Sequence, residues 1–326
     1  MGPVGRGCDG QAMIDRSFLT QLRVPVCAAP MFLISGPDLV IAACRAGIMA
    51  AFPAPNTRTL EDFDHWLTRI AAEAGEAPWA VNLITHATND RLAGELEIIA
   101  RHKPRAVITA LGSPRPVMET VRGYGGLVIA DVIDMRLAQK AIDAGVDGLA
   151  CVSAGAGGHT GFLSPFAFIS AVRDRFEGLI IVGGGIADGH GVAGAVAAGA
   201  DLVYVGTRFI AAAESLASES YKAMVIDCGL NDLVVSAAVT GTPASWLKPS
   251  FAAAGYDLSK PAAPPERNYG APADAAKRWR DIWAAGQGVG SSKAIEPTSA
   301  IVDALAQEFG EAVRRLAGLA TPTPIS

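Results

Sequence analysis

Leu-Ile-Ile-Val-Gly-Gly-Gly-Ile-Ala-Asp-Gly at residues 179–189 and Leu-Val-Tyr-Val-Gly-Thr-Arg-Phe at residues 202–209 each join a strand-length apolar run to a glycine turn and a helical pattern. A short, unbroken apolar run rich in β-branched residues reads as a strand buried on both faces. Glycine lets the backbone come close to a ligand, and the start of the next helix offers free N–H groups and partial positive charge to an anion. Two consecutive units of this kind are what strands seven and eight of a (β/α)8 barrel provide, where the loops form a phosphate cup. The competing reading is that these glycines serve only tight turns and packing.

The rest of the chain fits the same count. Working back from Leu179–Gly183 and Leu202–Phe209, similar runs occur at Val24–Phe32, Ile48–Phe52, Trp79–Ile84, Ala106–Leu111, Leu127–Val132 and Gly148–Ser153, making eight. Each leads through a loop into a helical pattern, which predicts βαβ units and an α/β (β/α)8 TIM barrel. Helix starts are expected at Ser35-Gly36-Pro37, Thr57, Asn89-Asp90 and Asp134, residues that cap free N–H groups or pre-set φ. Ala144-Gly145-Val146-Asp147 and Ala198-Gly199-Ala200-Asp201 place glycine where a helix stops. Beyond Phe209 the pattern loosens through Thr242–Pro249 and Lys260–Pro272 and closes on a helix from Pro297 to Leu316. The expected organisation is a leader over 1–12, a barrel over 13–240 and a C-terminal extension over 241–326 that covers the barrel mouth. A doubly wound open sheet is the structural alternative, since strand order is not written in a single sequence.

Half of the residues are hydrophobic and 18% are charged, a balance suited to strands enclosed by a helical layer. A net charge of -5, without clustered lysine and arginine, speaks against nucleic acid as a partner. Apolar runs are far below the ~20 residues of a membrane helix, so no membrane association is expected. Met1–Gln11 lacks the apolar core of a secretory signal, and Met13 is an alternative start. The five cysteines have no metal-ligand spacing and read as reduced thiols in a cytoplasmic protein.

In a barrel the chemistry sits on the loops after the strands. After the sixth run comes Ser153-Ala154-Gly155-Ala156-Gly157-Gly158-His159-Thr160-Gly161, a histidine among residues of little bulk, with room beside it for a planar ring. Histidine accepts protons at neutral pH, so His159 is the candidate general base, the alternative being a histidine that caps the next helix. His65 and His102 read as solvated helix residues. His86 follows strand three, and His190 begins the helix after the triple glycine, where added positive charge is disfavoured. Asn82 is a polar residue in an apolar strand and needs partners that a ligand could supply. Pro30 and Met31 end strand one, and Asp131 ends strand five, where it orients a ligand hydroxyl or serves structure alone. No Gly-x-Gly-x-x-Gly follows the first strand, which predicts a mononucleotide rather than a dinucleotide ligand.

Ala29-Pro30-Met31, Val81-Asn82-Leu83, Ala156–Gly161, Gly183–Gly189 and Val205–Phe209, with Ala285-Gly286-Gln287-Gly288-Val289-Gly290, together resemble the nitronate monooxygenase (2-nitropropane dioxygenase) family. The resemblance runs from about Ile14 to about Leu316, and its specific part is the Gly-Gly-His-x-Gly element. It implies FMN across the barrel mouth, with Pro30 and Met31 at the ring, Asn82 on a polar edge, and Gly157 and Gly158 lining the ring. Gly184, Gly185, Tyr204, Val205, Gly206 and Thr207 would hold the phosphate. The implied reaction is oxidation of an alkyl nitronate by FMN and O2 to a carbonyl compound and nitrite, with His159 taking the α-proton when a neutral nitroalkane is the substrate. Many members have glutamine seven residues before the histidine; Val152 stands there in this chain.

Two rivals stand beside that reading. An NAD(P)H-dependent flavin reductase of quinones or enoyl thioesters shares the barrel and the histidine element, and a phosphate-ligand barrel without redox chemistry would purify colourless. The sequence is compatible with a homo-oligomer and does not name the physiological substrate.

Overall fold

The computed structural model describes residues 14–256 and 281–319. The expected leader and the Lys260–Pro272 segment lie outside the described residues. Eight parallel strands close into a barrel: β1 (Val26–Ala28), β2 (Met49–Pro53), β3 (Trp79–Ile84), β4 (Ala106–Ala110), β5 (Leu127–Val132), β6 (Gly148–Val152), β8 (Leu179–Gly183) and β9 (Leu202–Val205). β9 pairs with β1, so the sheet has no edge and the doubly wound alternative is excluded.

Alternation along each strand sorts side chains into two layers. Inward residues such as Met49, Ile108, Ile129, Ile181 and Leu202 fill the barrel. Their neighbours, among them Val81, Val128, Leu149 and Val203, pack outward against the helices. Phe18 plugs the end opposite the active loops, with the Arg105 guanidinium 4.9 Å above its ring.

Helices α1 (Pro37–Arg45), α2 (Leu60–Glu73), α3 (Leu92–His102), α4 (Arg115–Gly123), α5 (Met135–Ala144), α6 (Pro165–Arg173) and α7 (Gly189–Ala197) form the outer ring. Gly36 and Pro37 open α1, and Asp134 Oδ1 accepts from Leu137 N at 2.7 Å to cap α5, as expected. The other two starts differ. Thr57 donates its hydroxyl to Ala54 O and closes a preceding turn, leaving Thr59 to cap α2 in a capping box with Asp62. α3 begins at Leu92 after Arg91, whose N–H donates to the Asn89 side chain. Gly145 and Gly199 end helices at φ +84° and +112°. The aspartates that follow them, Asp147 and Asp201, accept from Val128 N and Ile180 N, so each repeated phrase also ties one strand to its neighbour.

The C-terminal part builds the cover. β10 (Leu233–Ser236) and β11 (Ala244–Leu247) form an antiparallel hairpin, and β11 pairs in turn with β7 (Gly158–His159). This small sheet straddles the expected boundary at residue 240, because β10 belongs with its hairpin partner and not with the barrel. After the short helix α8 (Thr207–Ile210) come α9 (Glu219–Asp227) and α10 (Lys248–Ala253), and α11 (Thr298–Leu319) lies along α7. Among the described residues no helix is long and apolar enough to cross a membrane.

Candidate active site

His159 is held by structure distant in sequence. It pairs with Ala244 while Gly158 pairs with Ser245, and Thr160 N donates to Pro243 O at 3.2 Å. From below, the Thr160 hydroxyl donates to Ser153 O at 3.1 Å. The Cβ of any larger residue at 161 would collide with Val152 O, so Gly161 lets this loop fold down onto the barrel rim. The imidazole is half-buried, with Nε2 withdrawn from solvent. Its place on a two-residue strand tied to the extension was invisible to a local reading of the loop.

Pro30 and Met31 sit on a turn fixed by two side chains that the sequence reading missed. Ser35 Oγ accepts from Met31 N at 3.0 Å and donates to Ala29 O, while the Asn56 amide donates to Met31 O at 3.1 Å and Ser35 O at 2.8 Å. The Met31 sulfur lies 3.6 Å from the space where a Cβ on Gly206 would sit, so this turn and the loop after β9 meet.

The glycine loops divide into different duties. Gly183 faces inward and leaves room for Tyr204, whose Cβ would be 2.9 Å from a Cβ there. At Gly184, φ +142°, a Cβ would strike Ala154 O at 2.6 Å, so packing against the preceding loop already demands glycine here. Gly185 has φ +69° and its N–H donates to Gly155 O, which also accepts from Gln287 N at 2.8 Å. Two of the N–H groups that open α7 are already engaged: the Asp188 carboxylate caps Gly191 N and Glu308 of α11 accepts from Gly189 N at 2.8 Å. What remains for an anion is the triple-glycine turn with Gly206 and Thr207 at the start of α8, against which Gly286 N donates to the Thr207 hydroxyl at 2.9 Å. Arg208 is turned away, donating to Ala187 O at 3.1 Å beside Glu308. The Tyr204 side chain points into the barrel and Val205 packs outward among the helices, so the structure brings neither side chain to the cup.

Asn82, Asp131 and Tyr204 share the barrel interior near the mouth. Asn82 Nδ2 donates to Asp131 Oδ2 at 3.0 Å. Burial pushes the Asp131 carboxyl up to about 7, partly offset by that bond. Asp131 Oδ1 and the Tyr204 hydroxyl are buried and make no hydrogen bond among the described residues. Buried polar atoms of this kind call for partners. Gly157 admits the 285–286 backbone, since a Cβ there would meet Gly286 N at 2.6 Å, and the polar atoms at the mouth fit a flat ligand that carries donors and acceptors on one edge and a phosphate at the other end. A cavity of about 320 Å³ adjoins the loop, lined by Gly155, Leu230, Leu233, Val235, Ser245 and Gln287.

The remaining histidines lie elsewhere. His65 and His190 are exposed, and His86 lies within 2.8 Å of the Thr88 hydroxyl on its own loop. His102 is not a solvated residue as expected: its Nε2 lies 2.6 Å from Asp64 Oδ1, bridging α3 to α2 with 16% of its side chain exposed. Among the described residues no cluster of His, Cys, Asp and Glu could hold a metal ion.

The chain is 29% identical to a (3aS,4S,5R,7aS)-5-hydroxy-7a-methyl-1-oxo-octahydro-1H-indene-4-carboxyl-CoA dehydrogenase of Rhodococcus jostii, over 70% of this chain and 64% of that protein. The alignment with its Mycobacterium tuberculosis counterpart spans 61% of that protein's length. It is 26% identical to a nitronate monooxygenase of Paraburkholderia phytofirmans over 73% of this chain and 77% of that protein. Among solved structures, FabK from Thermotoga maritima superposes with a TM-score of 0.78 at 25% identity, covering 92% of this chain and 97% of that one. A nitroalkane oxidase of Streptomyces ansochromogenes shares the fold, with a TM-score of 0.78 at 24% identity over 92% of this chain and 99% of that one. A family model of nitronate monooxygenase matches residues 50–308, which take in β2 through α7, the glycine cup and most of the cover, and the chain belongs to the nitronate monooxygenase family.

Proposed function

We propose that the protein is an FMN-dependent oxidoreductase that uses O2 to convert alkyl nitronates, and nitroalkanes once deprotonated, to a carbonyl compound and nitrite. The observation that carries this reading is His159, pinned by Ala244 on a two-residue strand at the barrel mouth between residues of minimal bulk. Family membership and the Paraburkholderia relative support it. FMN, when bound, supplies the electron transfer and the reaction with O2. Pro30 and Met31 would lie at its ring, Asn82 at its polar edge, and Gly157 and Gly158 would line it. Gly185, Gly206 and Thr207 hold the phosphate, Gly184 shapes the turn between them, and Tyr204 and Val205 anchor the loop through the β9 ladder. His159 accepts the α-proton of a nitroalkane at an imidazole nitrogen. The four buried thiols Cys27, Cys44, Cys151 and Cys228 suit a reducing compartment, and we assign the protein to the cytoplasm.

A second reading, a nicotinamide-dependent reductase or dehydrogenase of acyl thioesters, is favoured by the two relatives named as carboxyl-CoA dehydrogenases and by the apolar wall of Leu230, Leu233 and Val235. The visible spectrum followed by anaerobic mixing separates the two. Bleaching of a yellow protein by nitronate supports the first, bleaching by NADH but not by nitronate overturns it, and a colourless protein that takes up no flavin overturns both.

A further inference from the structure

One polar pair inside the barrel is only half explained by a structural role. Asp131 ends β5 with its side chain inward, the alternation from Leu127 and Ile129 fixing its direction. Asn82 satisfies Oδ2, while Oδ1 is buried and makes no hydrogen bond among the described residues. Described residues supply no ion pair to this carboxyl. The titratable groups nearest it are Tyr204 and Cys27, both facing inward, and Cys151 on the neighbouring strand. Burial holds each of these phenol and thiol groups protonated at neutral pH, while His159 and His86, on loops that follow strands at this end of the barrel, are of a type that titrates there. Asp131 therefore has one amide donor, no cation, and one oxygen reserved for something else.

We propose that Asp131 is a positioning residue for the flavin ring: as a neutral carboxylic acid it donates from Oδ1 to an acceptor on the ring's polar edge, and it fixes the Asn82 amide so that the Asn82 carbonyl faces the same edge. The inference rests on the FMN reading above and assigns its polar contacts. An isoalloxazine edge carries carbonyl oxygens and ring nitrogens as acceptors with a single N–H between them. A carboxylic acid that donates, beside an amide oxygen that accepts, matches that pattern. Asn82 and Asp131 supply polar groups at the mouth where Val152, an apolar side chain, has no hydrogen bond to give. The carboxyl's burial keeps the donating form present up to neutral pH. Above it the proton is lost, a donor becomes an acceptor facing acceptors, and ring binding weakens.

The test is the affinity of the full chain, freed of flavin, for FMN, read by fluorescence quenching from about pH 7 to about pH 9, a range in which the FMN phosphate, with its second pKa near 6, is a dianion. Preferential binding to the protonated form raises Kd by up to about tenfold per pH unit, so a rise of at least about tenfold across the window is expected for the wild type. Asp131→Asn, whose amide donates at every pH, should hold Kd constant within about twofold over that range. His159→Asn should keep the wild-type slope. A flat wild-type profile overturns the proposal without recourse to any variant, as does a slope that Asp131→Asn retains or His159→Asn abolishes. Failure of the wild type to bind FMN at all overturns the FMN reading and this inference with it.

Discussion

His159 and Ala244 face one another across an antiparallel ladder, so the histidine of the sixth βα loop is positioned by a strand that comes after the barrel is complete. The rigidity of that strand depends on Trp246, fully buried, whose indole N–H donates to Ser236 O at 3.1 Å across the hairpin. Trp246→Ala should cost about 3–5 kcal/mol within the cover and leave the barrel folded. Limited proteolysis should then cut within residues 233–256, and turnover of a nitroalkane should fall while bound flavin persists. Unchanged protection and turnover would show that the barrel rim alone holds the histidine.

Gly184 and Gly206 should respond to substitution for different reasons. A side chain at 184 collides with Ala154 O, so Gly184→Val should lower the melting temperature as well as the flavin content. At 206, φ is -109° and a methyl group would meet only Met31 and Ala29 at ordinary contact distances. Gly206→Ala should therefore fold with wild-type stability and lose flavin only if the ligand passes against that backbone. Melting curves and flavin content of both purified variants check this, and a destabilised Gly206→Ala would place protein atoms where the ligand is expected.

These two glycines show what a sequence can and cannot tell. Both stood out as backbone without side chains after a strand, but whether the space they leave is filled by protein or by ligand depends on Ala154 and Met31, which reach them from other loops. The barrel itself was legible because β3, β5 and β8 are apolar runs bounded by turn residues, and those runs end where the strands end. β1 and β9 came out shorter than their runs, since Pro30 removes a donor and Gly206 starts a helical turn. Tyr204 could have been placed inside by counting alternate residues from Leu202. The pairing of β7 with β11 could not, because two residues carry no periodicity and their partner lies far along the chain.

Asp131 gives the flavin-free protein a pH dependence of known sign. The carboxyl ionises near 3.8 in the unfolded chain and is pushed up to about 7 by burial in the fold. Between those values the folded state holds a proton that the unfolded state has lost, so stability falls as pH rises through that window and levels off above about 7. The cost is roughly 1.4 kcal/mol for each unit of difference. Asp131→Asn removes the ionisable group, and its melting temperature should exceed that of the wild type at about pH 8 and converge with it near pH 4. A constant offset at both values would mean that the carboxyl is already solvated or paired.

The role assigned to His159 depends on the form in which substrate arrives. A neutral nitroalkane must lose its α-proton, whereas a preformed nitronate has already done so. His159→Asn keeps approximate size and polarity at a position whose backbone is fixed by Ala244, so the short strand should survive the change. For the nitroalkane, removing a positioned base should lower turnover by ~10²–10⁴-fold. For the nitronate the loss should be far smaller, because only binding and local electrostatics have changed. Both forms of one compound are assayed with wild type and variant, and rates are normalised to bound flavin so that lost cofactor does not pass for lost catalysis. An equal loss on both forms would leave His159 as a residue that orients substrate, and no loss on either would remove it from the reaction.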